Sequence, residues 1–133
     1  MMELWQHYKN SIFLCHQRLA THLSFAIVSA QNPAGVNAPA VYNRLLDKQL
    51  QAQLQQTGLA YRSVIGSAPD RSFEERSWMV LCDKVQAIAL GRLFTQNAIF
   101  WVDKNELYLV PVLMQQPEEH LGGFANRLVL LPA

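Results

Sequence analysis

Ser29, Gln31, Asn32 and Asn37 follow directly on the apolar run Phe25-Ala-Ile-Val28, with Pro33, Gly35 and Pro39 among them. An apolar strand that runs into a polar turn and then a helix sets such side chains beside free backbone N–H groups, where an anion, a carboxylate or a base edge can be held. A second group lies in Gly66-Ser-Ala-Pro-Asp70-Arg71-Ser-Phe-Glu74-Glu75-Arg76-Ser77. There Glu75 and Asp70 could work as an acid/base pair, with Arg62, Arg71 or Arg76 binding an anion. Gln96 and Asn97 close a helical pattern just before another apolar run and could present amides to a ligand. Each group also has an ordinary role: Asn caps and turns, and mixed charges in a loop make surface ion pairs of little energetic worth.

Other chemistries find little footing. Gly35 stands alone, so no glycine-rich phosphate fingerprint is present, and Ser29 lies in no Gly-x-Ser-x-Gly elbow. The four histidines, His7, His16, His22 and His120, show no metal-ligand spacing. No metal and no cofactor is therefore expected.

These residues need a scaffold, and hydrophobic periodicity supplies one. Leu4, Trp5 and Tyr8 share a face of a short helix, and Ser11–Cys15 suits a strand, with a continuation of the helix as the competing reading. Leu23–Ala30 is apolar on both faces, as in a covered central strand. Asn37 is expected to cap the next helix, with Pro39 in its first turn, a stripe of Val41, Leu45, Leu46, Leu50 and Leu54, and Gly58 as its C-cap. Arg44, Asp47 and Lys48 read as its solvated face. Leu59–Ile65 and Ser77–Cys82 are expected strands. Asp83 caps a second helix that buries Val85, Ile88, Ala89 and Leu93. Ala98–Val102 and Leu107–Leu113 then form a hairpin around Asp103-Lys-Asn105. Pro111 cannot donate to a ladder, which assigns that last strand to a sheet edge.

From residue 23 the order is β-α-β-β-α-β. The expected fold is thus α+β, with a ferredoxin-like core, both helices on one face, an extra N-terminal helix and strand, and an extra C-terminal edge strand. The segment Leu121–Ala133 is either a further strand or a docking tail. In that order the end of the 23–30 strand is expected beside Asp83 and Lys84, with Glu75 and Gln96 at the opposite end of the sheet. The Asn32 loop and Glu75 should then not share a pocket.

The chain has 133 residues, half of them hydrophobic and 16% charged, which is enough for a single globular domain with a real core over 1–133. Eleven Lys and Arg against ten Asp and Glu leave a net charge of +1, and no block of like charge argues for a nucleic-acid surface. Cys15 and Cys82 fit no CxxC pattern. They read as two thiols of a cytoplasmic protein, a Cys15–Cys82 disulfide being open only if their strands are neighbours. The first residues lack the design of a secretory signal, and no apolar run nears the roughly 20 residues of a membrane helix.

Ile27-Val-Ser-Ala-Gln-Asn-Pro33, Asn43, Glu75-Arg-Ser-Trp78 and Phe94-Thr-Gln-Asn-Ala98 resemble an uncharacterised bacterial family, domain of unknown function 3293, over about Leu4 to about Val112. Members pair a strand ending in Thr-Ala-Trp-Asn-Pro with a later Glu and a turn containing Gly-Gln. This chain has Ser29 for the Thr, Gln31 for the Trp and Thr95 for the Gly. The resemblance implies a shared fold and a shared site at Asn32, Asn43, Glu75 and Gln96; it implies no activity.

The leading expectation is a binding module for a small anionic or nucleotide-like ligand or a protein partner, with Ser29, Asn32 and Asn37 giving hydrogen bonds and Lys84 a nearby charge. An alternative is a hydrolase or transferase that uses Glu75 and Asp70 with an arginine. A third is a structural subunit of an assembly. The sheet face away from the helices is expected to need cover from a partner, a homodimer mate or the C-terminal tail.

Overall fold

The structure, a computed structural model, describes residues 2–132. Helix α1 (Met2–Lys9) leads into strands β1 (Ile12–Cys15) and β2 (Ser24–Val28). Helix α2 (Ala40–Thr57) precedes the hairpin of β3 (Tyr61–Ser67) and β4 (Glu74–Val80). Helix α3 (Lys84–Leu93) precedes the hairpin of β5 (Ala98–Asp103) and β6 (Glu106–Pro111). Strands β7 (Glu119–Gly123) and β8 (Leu128–Leu130) complete the chain.

Local chemistry sets most of these boundaries. Asp83 and Gln86 form a reciprocal capping box at the start of α3, with Gln86 N donating to Asp83 Oδ1 at 2.7 Å and Asp83 N to Gln86 Oε1 at 3.0 Å. Gly58 ends α2 in the left-handed region, at φ 72°. Lys104 and Asn105 both take positive φ between β5 and β6, as a tight two-residue hairpin turn requires.

All eight strands form one mixed sheet in the order β7-β6-β5-β2-β4-β3-β1-β8. Every neighbouring pair is antiparallel except β1 with β8. Strands β7 and β8 sit at the two edges, yet only Phe124–Arg127 joins them. Five peptide steps reach at most about 17 Å, whereas eight flat strands would span roughly 34 Å. The sheet must therefore curl and bring its edges together.

Curling produces two cores. On the convex face, Leu50 and Leu54 of α2 and Ala87 and Leu90 of α3 pack on Ala26, Val28, Trp78, Val80, Ile99 and Val110. On the concave face lie Phe13, Phe25, Ile27, Val64, Met79, Val102 and Leu107, closed by Phe124 from the turn between β7 and β8. Alternate residues of β2 thus serve opposite cores, which accounts for a strand apolar throughout. Phe124 meets the rings of Phe13 and Phe25 at 5.5 and 5.4 Å. The chain's own C-terminal segment covers much of the face that was expected to need a partner.

Helix α1 closes one end of the concave side. Trp5 is buried with Leu109 and Met114, and its Nε1 donates to Glu119 Oε1 at 2.8 Å. Lys9 pairs with Glu119 at 2.8 Å, and Arg127 Nη1 donates to the carbonyls of Lys9 and Ser11.

Several expectations change. Val41 and Leu45 are 70% and 51% exposed, and Asp47, assigned to the solvated face of α2, is buried. Val85 and Leu93 of α3, expected to be buried, are exposed as well. Leu46, Leu50 and Leu54 of the expected stripe do face the sheet, and beside them the indole Nε1 of Trp78 donates to Asp47 Oδ1 at 2.9 Å, which satisfies the carboxyl on that face. Strand β4 begins at Glu74, three residues before Ser77, because the β3–β4 ladder extends to Ser67 opposite Glu74. Pro111 does not mark a sheet edge. Strand β6 is paired on both sides, but β7 reaches only Glu106–Leu109, leaving Pro111 past the end of that ladder. The tail from Leu121 contributes to β7 and β8; its last residue, Ala133, lies outside the described residues. Cys15 and Cys82 are free thiols, and among the described residues no helix is long and apolar enough to cross a membrane.

Candidate functional site

Strand direction assembles the site. Strand β2 is antiparallel to both β4 and β5, with Val28 opposite Trp78 and Ile27 opposite Phe100. Continued by a few residues, this register brings Gln31 level with Glu75 on one side and Gln96 on the other. The separation expected for the Asn32 loop and Glu75 is therefore overturned: Asn32 Nδ2 donates to Glu75 Oε2 at 3.0 Å. That expectation treated β2 and β4 as running the same way, which would set their far ends together.

Ser29, Asn32, Asn37, Glu75 and Gln96 all line a cavity of about 460 Å³ on the concave face. Its apolar wall includes Phe13, Ile27 and Phe100, and α1 contributes His7 and Tyr8. Gly66 stands between Phe13 and Glu75 in adjacent strands, where the missing side chain leaves open space. Asn43 is not in the wall but stands behind it.

The Asn32 loop is fully specified by its own hydrogen bonds. Asn32 is in the left-handed conformation at φ 49°, which asparagine tolerates. Its Oδ1 accepts from Ala38 N and Asn43 Nδ2, each at 2.9 Å, and its N–H donates to Asn43 Oδ1 at 2.9 Å. The backbone donor Ala38 fixes which way the Asn32 amide points, so its Nδ2 must face Glu75. Asn32 thus positions the carboxyl, and Asn43 positions Asn32.

Two further ties join this loop to the turn before β5. Ala34 N donates to Thr95 O at 2.7 Å, and Gln96 Nε2 donates to Gln31 O at 3.2 Å and to Phe94 O at 3.1 Å. Both Nε2 protons of Gln96 are used in this brace. Gly35, at φ +76°, packs so closely that a Cβ would sit 2.7 Å from Asn97 Nδ2 and 3.0 Å from Leu4 Cδ1. Only glycine meets both the backbone and the space requirement there. Asn37 is exposed and makes no cap: Pro39 takes the N-cap position of α2, and no side chain caps it.

Glu75 is the electrostatic centre. Burial raises its carboxyl above the ordinary range, against the opposing hydrogen bonding of Ser29 and Asn32 and the nearby His7. The Ser29 hydroxyl has one proton for two acceptors, since it also reaches Arg76 O at 3.1 Å, while it accepts from Gln31 N at 3.0 Å. Tyr8 accepts a hydrogen bond from Asn97 Nδ2 at 3.1 Å. Burial, with a smaller contribution from the Glu75 charge, raises the Tyr8 phenol and outweighs Asn97. It is therefore a neutral donor at physiological pH.

Other expected partners of the site lie elsewhere. Asp70 is exposed in the β3–β4 turn, where hydrogen bonds from Ser72 hold its carboxyl low, and Arg71 pairs with Glu74 at 2.9 Å. Arg76 projects from the opposite face of β4, over the Trp78 ring at 5.7 Å. Arg62 is exposed, and Lys84 pairs with Glu118. No Lys or Arg is among the described residues lining the cavity. Conversely, sequence reasoning passed over His7 and Tyr8, because nothing local connects an N-terminal helix to strand ends far along the chain. Asn97 was named and then set aside as a cap.

A family model described as "Protein of unknown function (DUF3293)" matches residues 28–99. The match covers just over half of the chain, from the end of β2 into β5, and the chain belongs to that family. It is narrower than the Leu4–Val112 span of the resemblance, yet it holds Asn32, Asn43, Glu75 and Gln96. No curated protein and no solved structure matches the chain.

Proposed function

We infer that this family member is a binding module whose ligand enters the cavity beside Glu75. The observation that carries this reading is a carboxyl braced by Asn32, itself locked by Asn43 and Ala38, and facing open space over an apolar wall. A few placed polar groups on a mostly apolar, preformed concavity are what small-molecule sites share. The absence of Lys and Arg among the described lining residues favours a neutral or cationic ligand over the anionic one.

A thermal-shift screen tests the reading. Neutral and cationic ring compounds should raise the melting temperature of the wild type, by mass action on the native state. The gain should vanish in Glu75→Ala. No gain with any compound, or equal gains in that variant, would contradict it.

A second reading is acid–base chemistry at the same place. Burial moves Glu75 toward the protonated form, as a proton-transferring carboxyl requires, and Tyr8 and His7 share its cavity. Here Glu75 would work with Tyr8 or His7, since Asp70 lies in the exposed turn.

The four central strands, ordered β5-β2-β4-β3 with α2 and α3 on one face, support the ferredoxin-like reading of the core. Two unpaired cysteines support a cytoplasmic setting. Exposed Val41, Leu45, Val85 and Leu93 on the helices support association with another chain.

A further inference from the structure

Resting on that binding-site reading, we propose that the cavity takes a planar ring with a secondary-amide edge, an N–H beside a C=O, as in a lactam or a pyrimidine base. Tyr8 and Glu75 would read that edge, one as donor and one as acceptor.

The Tyr8 oxygen accepts from Asn97 Nδ2 at 3.1 Å, and this bond occupies a lone pair and leaves the phenolic proton to be given. No acceptor for that proton is found among the described residues. Asn97 is itself held by its backbone, whose carbonyl accepts from Val112, Leu113 and Met114. Glu75 is the converse case. Asn32 Nδ2 engages Oε2, and Ser29 is the other hydroxyl beside the carboxyl. An ionised carboxylate has about four acceptor sites, so capacity remains for a ligand N–H.

The two groups come from α1 and β4 and line one cavity. A ligand offering only a donor or only an acceptor would leave one of them desolvated and unpaired, which is costly. An amide edge satisfies both without net charge. Phe100, half-buried in the cavity wall and backed edge-on by the fully buried Phe13 at 5.0 Å between centroids, gives an aromatic surface on which a ring can rest. The donor lies in α1, outside the residues matched to the family, so this selectivity belongs to more of the chain than the family match covers.

Ligand-observed NMR titration with 2-pyridone, N-methyl-2-pyridone, benzylamine and benzoate tests the proposal on wild type, Tyr8→Phe and Glu75→Gln. The wild type should bind 2-pyridone, and N-methylation, which replaces the N–H donor by a methyl group, should weaken binding about tenfold or more. Tyr8→Phe should weaken 2-pyridone binding about five- to tenfold, and weaken it more than it weakens benzylamine binding. Melting curves establish that both variants fold, and the N-methyl comparison needs no variant at all. Equal affinity for 2-pyridone and its N-methyl form, or for wild type and Tyr8→Phe, would overturn the amide-edge assignment. Binding of benzylamine without 2-pyridone would overturn it while leaving the cavity a ligand site; binding of none of the four would overturn both.

Discussion

Asp47 and Glu75 flank the same strand on opposite faces of the sheet, and burial raises both carboxyls above the ordinary range. Asp47 faces the sheet from α2, where the Trp78 indole donates to it at 2.9 Å and Arg76 stays 3.9 Å away. Next to it Leu50, Leu54 and Val80 are fully buried, while the carboxyl keeps a small exposure at the rim of the helix–sheet contact. Glu75 faces the concave side, where the packing stops short and leaves a cavity of about 460 Å³. Burial moves both carboxyls in the same direction. Space distinguishes them: a desolvated carboxyl with a neighbouring void can meet a ligand, whereas one engaged by an indole over a packed core holds the fold.

The largest expected effect falls on the closed face. Leu54→Ala should cost about 2–5 kcal/mol, because a fully buried side chain between α2 and the sheet leaves a void the surroundings cannot fill. Urea unfolding measures it. A loss well under that range would mean that the helix-covered face is as loosely packed as the cavity face, and the contrast would fail.

A smaller effect separates the carboxyls from the rest of the protein. For each, the folded-state pKa lies above the unfolded one, so its contribution to stability is fully present below the unfolded pKa, near 4. It is lost as pH rises through the folded pKa. Glu75→Gln and Asp47→Asn remove that loss. Both variants should therefore gain stability relative to wild type between about pH 4 and pH 7, by a fraction of the Leu54→Ala effect. Urea midpoints at the two pH values check it. A pH-independent difference would show that burial does not govern these groups. The pair then divides: Asp47→Asn keeps ligand binding and Glu75→Gln alters it.

The local pieces of this architecture were legible in the sequence. The Asp83 cap, the Gly58 stop and the Asp103-Lys-Asn105 turn each follow from a residue's own backbone and hydrogen-bonding preference. Five of the six expected ligand-binding residues, Asn43 excepted, also line one cavity. Their meeting followed from the element order, although the expectation drawn from that order ran the other way: the crossover from β2 to β3 and the β3–β4 hairpin set β2 antiparallel to β4, which brings the end of β2 beside Glu75. The arrival of α1, with Tyr8 and His7, at the same cavity has no local signal in the sequence. Val41 and Leu45 misled for another reason: Leu46, Leu50 and Leu54 of the same stripe pack on the sheet, but the buried face of α2 centres toward Asp47, which meets Trp78, and leaves the Val41/Leu45 margin exposed.

The central claim is that the void beside Glu75, and not the helical face, is where this protein meets its ligand. Amide chemical-shift mapping of isotope-labelled protein against a mixture of small ring compounds tests it most directly. The account predicts shifts clustered at residues 29–35, 75–77 and 96–98 and in α1, all absent in Glu75→Gln for the compounds that use it. Shifts confined to Tyr42, Leu46 and Leu93 between α2 and α3, or no clustered shifts at all, would contradict it.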